Sequence, residues 1–237
     1  MEIKILYDNK SSESNILSGW GFSCLVGGSV LFDTGEDGNS LLNNIKIMKI
    51  DIANINDIVI SHDHWDHVGG LESVLKKKKG IKVHGCGGFS RKFKDIVNKC
   101  GAELVETELF SNITSNISTT GPIKGTYKGE KIEEQSLVLK TTSGITIVTG
   151  CAHPGIVKIV EHTKNLLIQE KLYCALGGFH LKDMSEDKVI GVCNGLMDLG
   201  IQKAGPTHCS GEIAANIFKK KFGENYITIS AGKVFEI

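Results

Sequence analysis

Residues 61–70 read SHDHWDHVGG, and positions 62–67 hold His62, Asp63, His64, Asp66 and His67. The preceding run DIVIS (57–61) is apolar and β-branched and predicts a strand, while VGGLESVLKKKK after it has helical spacing. The ligand-type residues therefore fall on a loop anchored by regular elements at both ends, which lets their side chains converge. Neutral imidazole is the commonest protein ligand for zinc and its neighbours, and a carboxylate can complete the sphere. His62 and His64, alternate residues of an extended segment, can point to one side. Asp66 and His67, beyond the turn, are placed to serve a second ion.

The pattern around this loop predicts the fold class. EIKILY (2–7), FSCLV (22–26) and SVLFD (29–33) are short β-rich runs, and LLNNIKIMKI (41–50) has helical spacing. IKVHG predicts a strand and FSRKFKDIVNKCG a helix ended by Gly101. The polar stretch 111–120 reads as loop or edge strand. SLVLKTT, GITIVTG, LYCAL and IQKAGPTH then read as strands, with helices over 156–169, 186–199 and GEIAANIFKKKFG; YITIS and KVFEI close the chain as strands. Strand meanders followed by strand–helix alternation, twice over, predict an α/β protein of two sheets face to face with helices outside, a four-layer αββα sandwich. With no repeat and no low-complexity linker, residues 1–237 are expected to form a single domain.

Composition narrows the partners. The 237 residues carry 27 basic and 27 acidic side chains, so no net field recruits nucleic acid or an anionic membrane. KKKK at 76–79 and KKK at 219–221 are expected at solvated helix C-termini. No signal-peptide pattern opens the sequence, no run of apolar residues is long enough to span a bilayer, and the seven scattered cysteines form no disulfide framework, so a reduced, cytoplasmic protein is expected.

Of the eight histidines, three lie in the opening motif. His153 in TGCAHPG, His180 in LGGFHL and His208 in GPTHCSG each follow an apolar β-like run beside Gly or Pro. That shared context places them at strand exits, where neighbouring strand ends gather around a cleft. His84, at a strand end beside a cysteine, and His162, in mid-helix, lack it and read as structural.

HDHWDH, preceded by LFDTG and followed by GCAHPG and PTHCSG, resembles the metallo-β-lactamase superfamily from about residue 20 to 210. YDN, HDHWDH, GCAHPG and GGFHL resemble a branch that includes proteins named for ribofuranosylaminobenzene phosphate synthase of pterin cofactor biosynthesis. The resemblance implies that His62, His64 and His153 hold one ion and Asp66, His67 and His208 another, with Asp33 steadying a ligand histidine. Zn2+, as one or two ions, is the expected cofactor, with Mn2+ or Fe2+ as alternatives. Many relatives carry a bridging aspartate where this chain reads GGFHLKD. His180 stands in its place, which implies either a weaker second ion or a bridge of water alone, and frees His180 to bind substrate or act as a general acid. Asp66 is expected to orient the attacking water as well as to bind metal. Cys151 and Cys209 are expected to pack as small buried residues.

His64 stands where the diiron members of the superfamily carry a glutamate, which argues for zinc and hydrolysis. RNA-processing relatives need a basic surface that this neutral chain does not advertise. The expected function is hydrolysis of an ester-type bond (phosphoester, lactone or thioester) in a small, anionic molecule by a metal-activated water. A synthase-type transfer on phosphoribosyl and aromatic substrates, or a ligand-binding sensor without turnover, are the alternatives.

Overall fold

The computed structural model describes residues 1–237. It divides into two compact units, residues 1–108 with 230–237, and residues 109–229.

The first unit holds β1 (Glu2–Tyr7), β2 (Ser23–Val26), β3 (Val30–Phe32), α1 (Gly38–Ile47), β4 (Asp57–Val59), α2 (Trp65–Val68), α3 (Leu71–Lys77), β5 (Lys82–Cys86), α4 (Arg91–Lys99) and β6 (Glu103–Thr107). Its seven-stranded sheet is ordered β15-β1-β2-β3-β4-β5-β6, with β15 (Val234–Glu236) at one edge. The pairs from β15 to β3 are antiparallel, and those from β3 to β6 are parallel. Helix α1 begins three residues before the apolar run LLNNIKIMKI because Asp37 caps it, accepting from the Asn39 and Ser40 amides. Leu41 and Ile45 of α1, Val74 of α3 and Phe93 and Val97 of α4 pack with Leu31, Ile58 and Val83 of the strands. Each such side chain contributes about 1.5–3 kcal/mol relative to exposure, which outweighs any single hydrogen bond in the sheet.

The second unit holds β7 (Ser111–Asn112), β8 (Ile117–Thr119), β9 (Ile123–Tyr127), β10 (Glu130–Glu134), β11 (Leu137–Thr141), β12 (Gly144–Thr149), α5 (Ile156–Leu166), β13 (Leu172–Gly178), α6 (Glu186–Asp198), β14 (Lys203–Thr207) and α7 (Gly211–Phe222). Its main sheet is ordered β14-β13-β12-β11-β8-β7, and β9 and β10 form a separate two-stranded hairpin. β12, β13 and β14 are parallel, and the register pairs Thr149 with Gly177 and Gly178 with Thr207. Their C-terminal ends are therefore level. A Cβ at Gly177 would lie 2.0 Å from the Thr149 carbonyl oxygen, and one at Gly178 2.1 Å from that of Gly150, so only glycine lets β13 run this close to β12. The core joins Ile147, Ala175 and Ala204 of the sheet to Ile159, Val189, Cys193, Ala214 and Phe218 of the helices.

Each unit thus carries a mixed sheet with helices packed on it, as expected of the α/β class. One strand reading fails. YITIS (226–230) is irregular, because its hydrogen bonding to β14 stops at a single bridge between Tyr226 and Ala204. The lysine runs close helices as expected: Lys76 and Lys77 lie in the last turn of α3 and Lys219, Lys220 and Lys221 in the last turn of α7, all five exposed. All seven cysteines are buried and free. No helix is long and apolar enough to cross a membrane.

Candidate functional site

In both units the chemistry sits where parallel strands end, the position at which α/β sheets present side chains to ligands. In the first unit, Asp33 follows β3 and Ser61-His62 follows β4. Asp33 is wholly buried and left-handed (φ 53°). It accepts from the Ser61 amide at 2.7 Å, the Ser61 hydroxyl at 2.8 Å and His67 Nδ1 at 2.6 Å. Since the single Ser61 hydroxyl proton goes to Asp33, the 2.8 Å contact from Ser61 Oγ to His62 Nδ1 must be an imidazole N–H donating to Ser61. One carboxylate thereby fixes two tautomers, and both His62 and His67 keep the Nε2 lone pair for a ligand.

The ring of His62 lies 4.6 Å from that of His64 and 4.1 Å from that of His67, centre to centre. Asp66 Oδ2 is 3.7 Å from His67 Nε2. Asp63 turns away instead, accepting from the Ser90 amide at 2.7 Å. Burial pushes the Asp33 carboxyl above the usual range, and His67 and Ser61 offset only part of that.

In the second unit, Cys151 and His153 follow β12, His180 follows β13 and His208 follows β14. Ligand atoms of Cys151, His153 and His180 lie within 4.8 Å of one another, as do those of Cys151, His208 and Cys209. Both cysteines are buried as expected, and Cys151 adjoins every histidine of this cluster. The rings of His153 and His180 are 4.8 Å apart, and Tyr127 of the β9–β10 hairpin meets them edge-on at 5.0 and 5.6 Å. A cavity of about 140 Å³ opens beside the two imidazoles, lined by Ile156, Phe179, Leu181 and Met184 among others. His180 Nδ1 is buried with no hydrogen-bond partner. The neighbouring Cys209 thiol is the largest influence on this ring and pushes its pKa up against burial, with Glu134 and Asp183 adding to the rise.

Glu134, at the end of β10, belongs to this site although nothing in its sequence context marks it. Its carboxylate accepts from the amides of Cys151, Ala152 and His153 at 3.0, 2.7 and 2.9 Å and from His153 Nδ1 at 2.9 Å. Burial would raise its pKa, but the His153 ring and the backbone amides outweigh burial and hold it below the usual carboxylate range.

Ala152, His180 and His208 share the left-handed backbone of Asp33, with φ of 59°, 52° and 53°. Each such residue costs about 1–3 kcal/mol and persists only where its surroundings over-determine it. Those surroundings are visible: Ser210 Oγ accepts from the Phe179 amide at 2.9 Å and donates to the Thr207 carbonyl at 2.6 Å, tying the exits of β13 and β14 together. His84 and His162 are structural, as expected, the first paired with Asp57 at 2.8 Å and the second near the Thr120 carbonyl at 3.4 Å.

His67 and His153, whose Nδ1 atoms face the Asp33 and Glu134 carboxylates, and His62, whose Nδ1 faces Ser61, are candidate metal ligands beside the strand ends of two mixed sheets. The chain belongs to the metallo-β-lactamase superfamily, whose family model matches residues 23–153, more than half of its length. It is 29% identical to the 7,8-dihydropterin-6-methyl-4-(β-D-ribofuranosyl)-aminobenzene-5′-phosphate synthase of Methanocaldococcus jannaschii, over 87% of this chain and 84% of that protein. A solved structure of Tm1679, described as a metal-dependent hydrolase of the β-lactamase superfamily, aligns with 100% of this chain and 99% of its own at 29% identity and a TM-score of 0.84. YhfI of Bacillus subtilis, 12% identical and covering 99% of both chains at a TM-score of 0.71, shares the fold.

Proposed function

We propose that the protein is a metal-dependent hydrolase of an ester-type bond in a small anionic molecule. His62, His64, Asp66, His67, His153 and His208 are its ligands for one or two divalent ions. The observation that carries this reading is the proton order: Nδ1 protons held by carboxylates at His67 and His153, and by the Asp33-bound Ser61 hydroxyl at His62, leave all three with Nε2 lone pairs to offer. An all-imidazole and carboxylate set of this kind fits Zn2+, with Mn2+ or Fe2+ as alternatives. A divalent ion held by these residues would supply Lewis acidity toward water and the attacked group. The chain's residues do the rest. Asp66 orients the attacking water, His180 donates a proton to the leaving oxygen, and the apolar recess of Phe179, Ile156 and Met184 takes an uncharged portion of the substrate.

A synthase-type reaction is the second reading. Tyr127, edge-on to His153 and His180 with Lys128 Nζ 5.1 Å from its ring centre, is suited to a flat anionic aromatic substrate, and the M. jannaschii relative is named for such a reaction.

Elemental analysis of protein prepared without chelator should find between one and two ions per chain. Stripped protein should regain hydrolysis of nitrophenyl esters or phosphodiesters on adding Zn2+. Absence of metal, together with a His62→Ala variant that behaves as wild type, rejects the metal reading. Turnover confined to aromatic and phosphoribosyl substrates selects the synthase reading instead.

A further inference from the structure

We infer that Glu134 is the positioning residue for His153: it fixes that ring's tautomer and holds the strained turn that aims it. The inference rests on the reading of His153 as a metal ligand.

The argument is one of donors and acceptors. Four N–H groups, the amides of residues 151–153 and the His153 ring, point at the two oxygens of a carboxylate that is 1% exposed. Oε1 takes the Cys151 and Ala152 amides; Oε2 takes the His153 amide and Nδ1. An ionised carboxylate is acceptor only, so His153 Nδ1 must carry the proton and Nε2 the lone pair. The same contacts pin Ala152 in its left-handed conformation, which sets the direction in which the next residue leaves the strand.

The hairpin supplies two more constraints on the same turn. Gly125 packs so closely on it that a Cβ there would lie 2.7 Å from Pro154 N and 2.8 Å from the His153 carbonyl carbon. Tyr127 closes on the ring itself. β9 and β10 thus form a bracket around His153, with Glu134 as its polar contact. This is the arrangement that Asp33 provides for His67, built from an unrelated element.

Glu134→Gln separates this role from mere packing. The amide is nearly isosteric but offers one acceptor atom to donors that approach both oxygens, so in either orientation two N–H groups meet an N–H2. Oriented toward His153, the amide donor would favour the tautomer whose Nε2 carries a proton and cannot bind metal. Zn2+ retention against a chromophoric chelator should fall about 10- to 100-fold, and the visible spectrum of the Co2+-loaded protein should change. In a His153→Ala background the same substitution should cause no further loss of Zn2+. Wild-type retention and spectrum in Glu134→Gln, while His153→Ala loses metal, overturns the positioning role and leaves the proposed function intact. Full metal retention in His153→Ala overturns the ligand reading itself. Should Glu134→Gln fail to fold, Glu134→Asp, which keeps both acceptors one methylene further back, is judged by the same measurements.

Discussion

Replacing His180 by alanine should lower turnover by about 10²–10⁴-fold, the usual contribution of a general acid or oxyanion donor, while leaving the metal content unchanged. The backbone at His180 is left-handed and already carries a Cβ, so alanine adds no new strain and removes only the imidazole. What is lost is a ring held between His153, Tyr127 and the Cys209 thiol. His208→Ala should behave differently, releasing an ion together with activity, because a missing ligand lowers metal affinity directly. Metal analysis and turnover measured on both variants decide the matter. Loss of an ion from His180→Ala to the same extent as from His208→Ala would make GGFHL a ligand-bearing segment.

Asp33→Ala should be the most destabilising single change in the first unit. It leaves the Ser61 amide, the Ser61 hydroxyl and His67 Nδ1, all fully buried, facing a void. Leaving a buried donor without its acceptor costs about 1–3 kcal/mol, so losing the shared acceptor of these three donors should cost roughly 3–5 kcal/mol after partial relaxation. For a chain of this size that lowers Tm by roughly 6–20 °C. Glu72→Ala, which removes an exposed partner of Lys76 one helical turn away, should leave Tm where it was. Asp33→Asn should fall between, since the amide retains one acceptor. An Asp33→Ala protein that melts with the wild type would mean that the network contributes nothing to stability.

The legible and illegible parts of this molecule divide on physical grounds. The HDHWDH loop could be read because its ligand-type side chains are contiguous and flanked by a β-branched run and a helical one. His153, His180 and His208 could be read because each follows a buried parallel strand, and such strands are apolar on both faces. The hairpin escaped notice for the opposite reason. TYKGEKIEE is polar along most of its length, so period-two alternation is faint, and its turn is announced only by Gly129. Glu134 was hidden twice over, sitting beside another glutamate in that stretch and 19 residues before the histidine it serves. No spacing rule links a hairpin end to a strand exit; only the folded chain does. YITIS shows the converse error, because apolar alternation raises the propensity for a strand without supplying a neighbour to pair with.

The seven buried thiols make the molecule its own stopwatch. Only the thiolate reacts with alkylating dyes, and burial pushes the Cys174 thiol up to about 12 and the Cys24 thiol well above its ordinary value. Dye uptake by native Cys24 and Cys174 is therefore gated by opening of the chain around each sulfur. Cys24, Cys86 and Cys100 belong to the first unit, and Cys151, Cys174, Cys193 and Cys209 to the second. Mapping which peptides become alkylated, and when, clocks the breathing of each half separately with no label introduced.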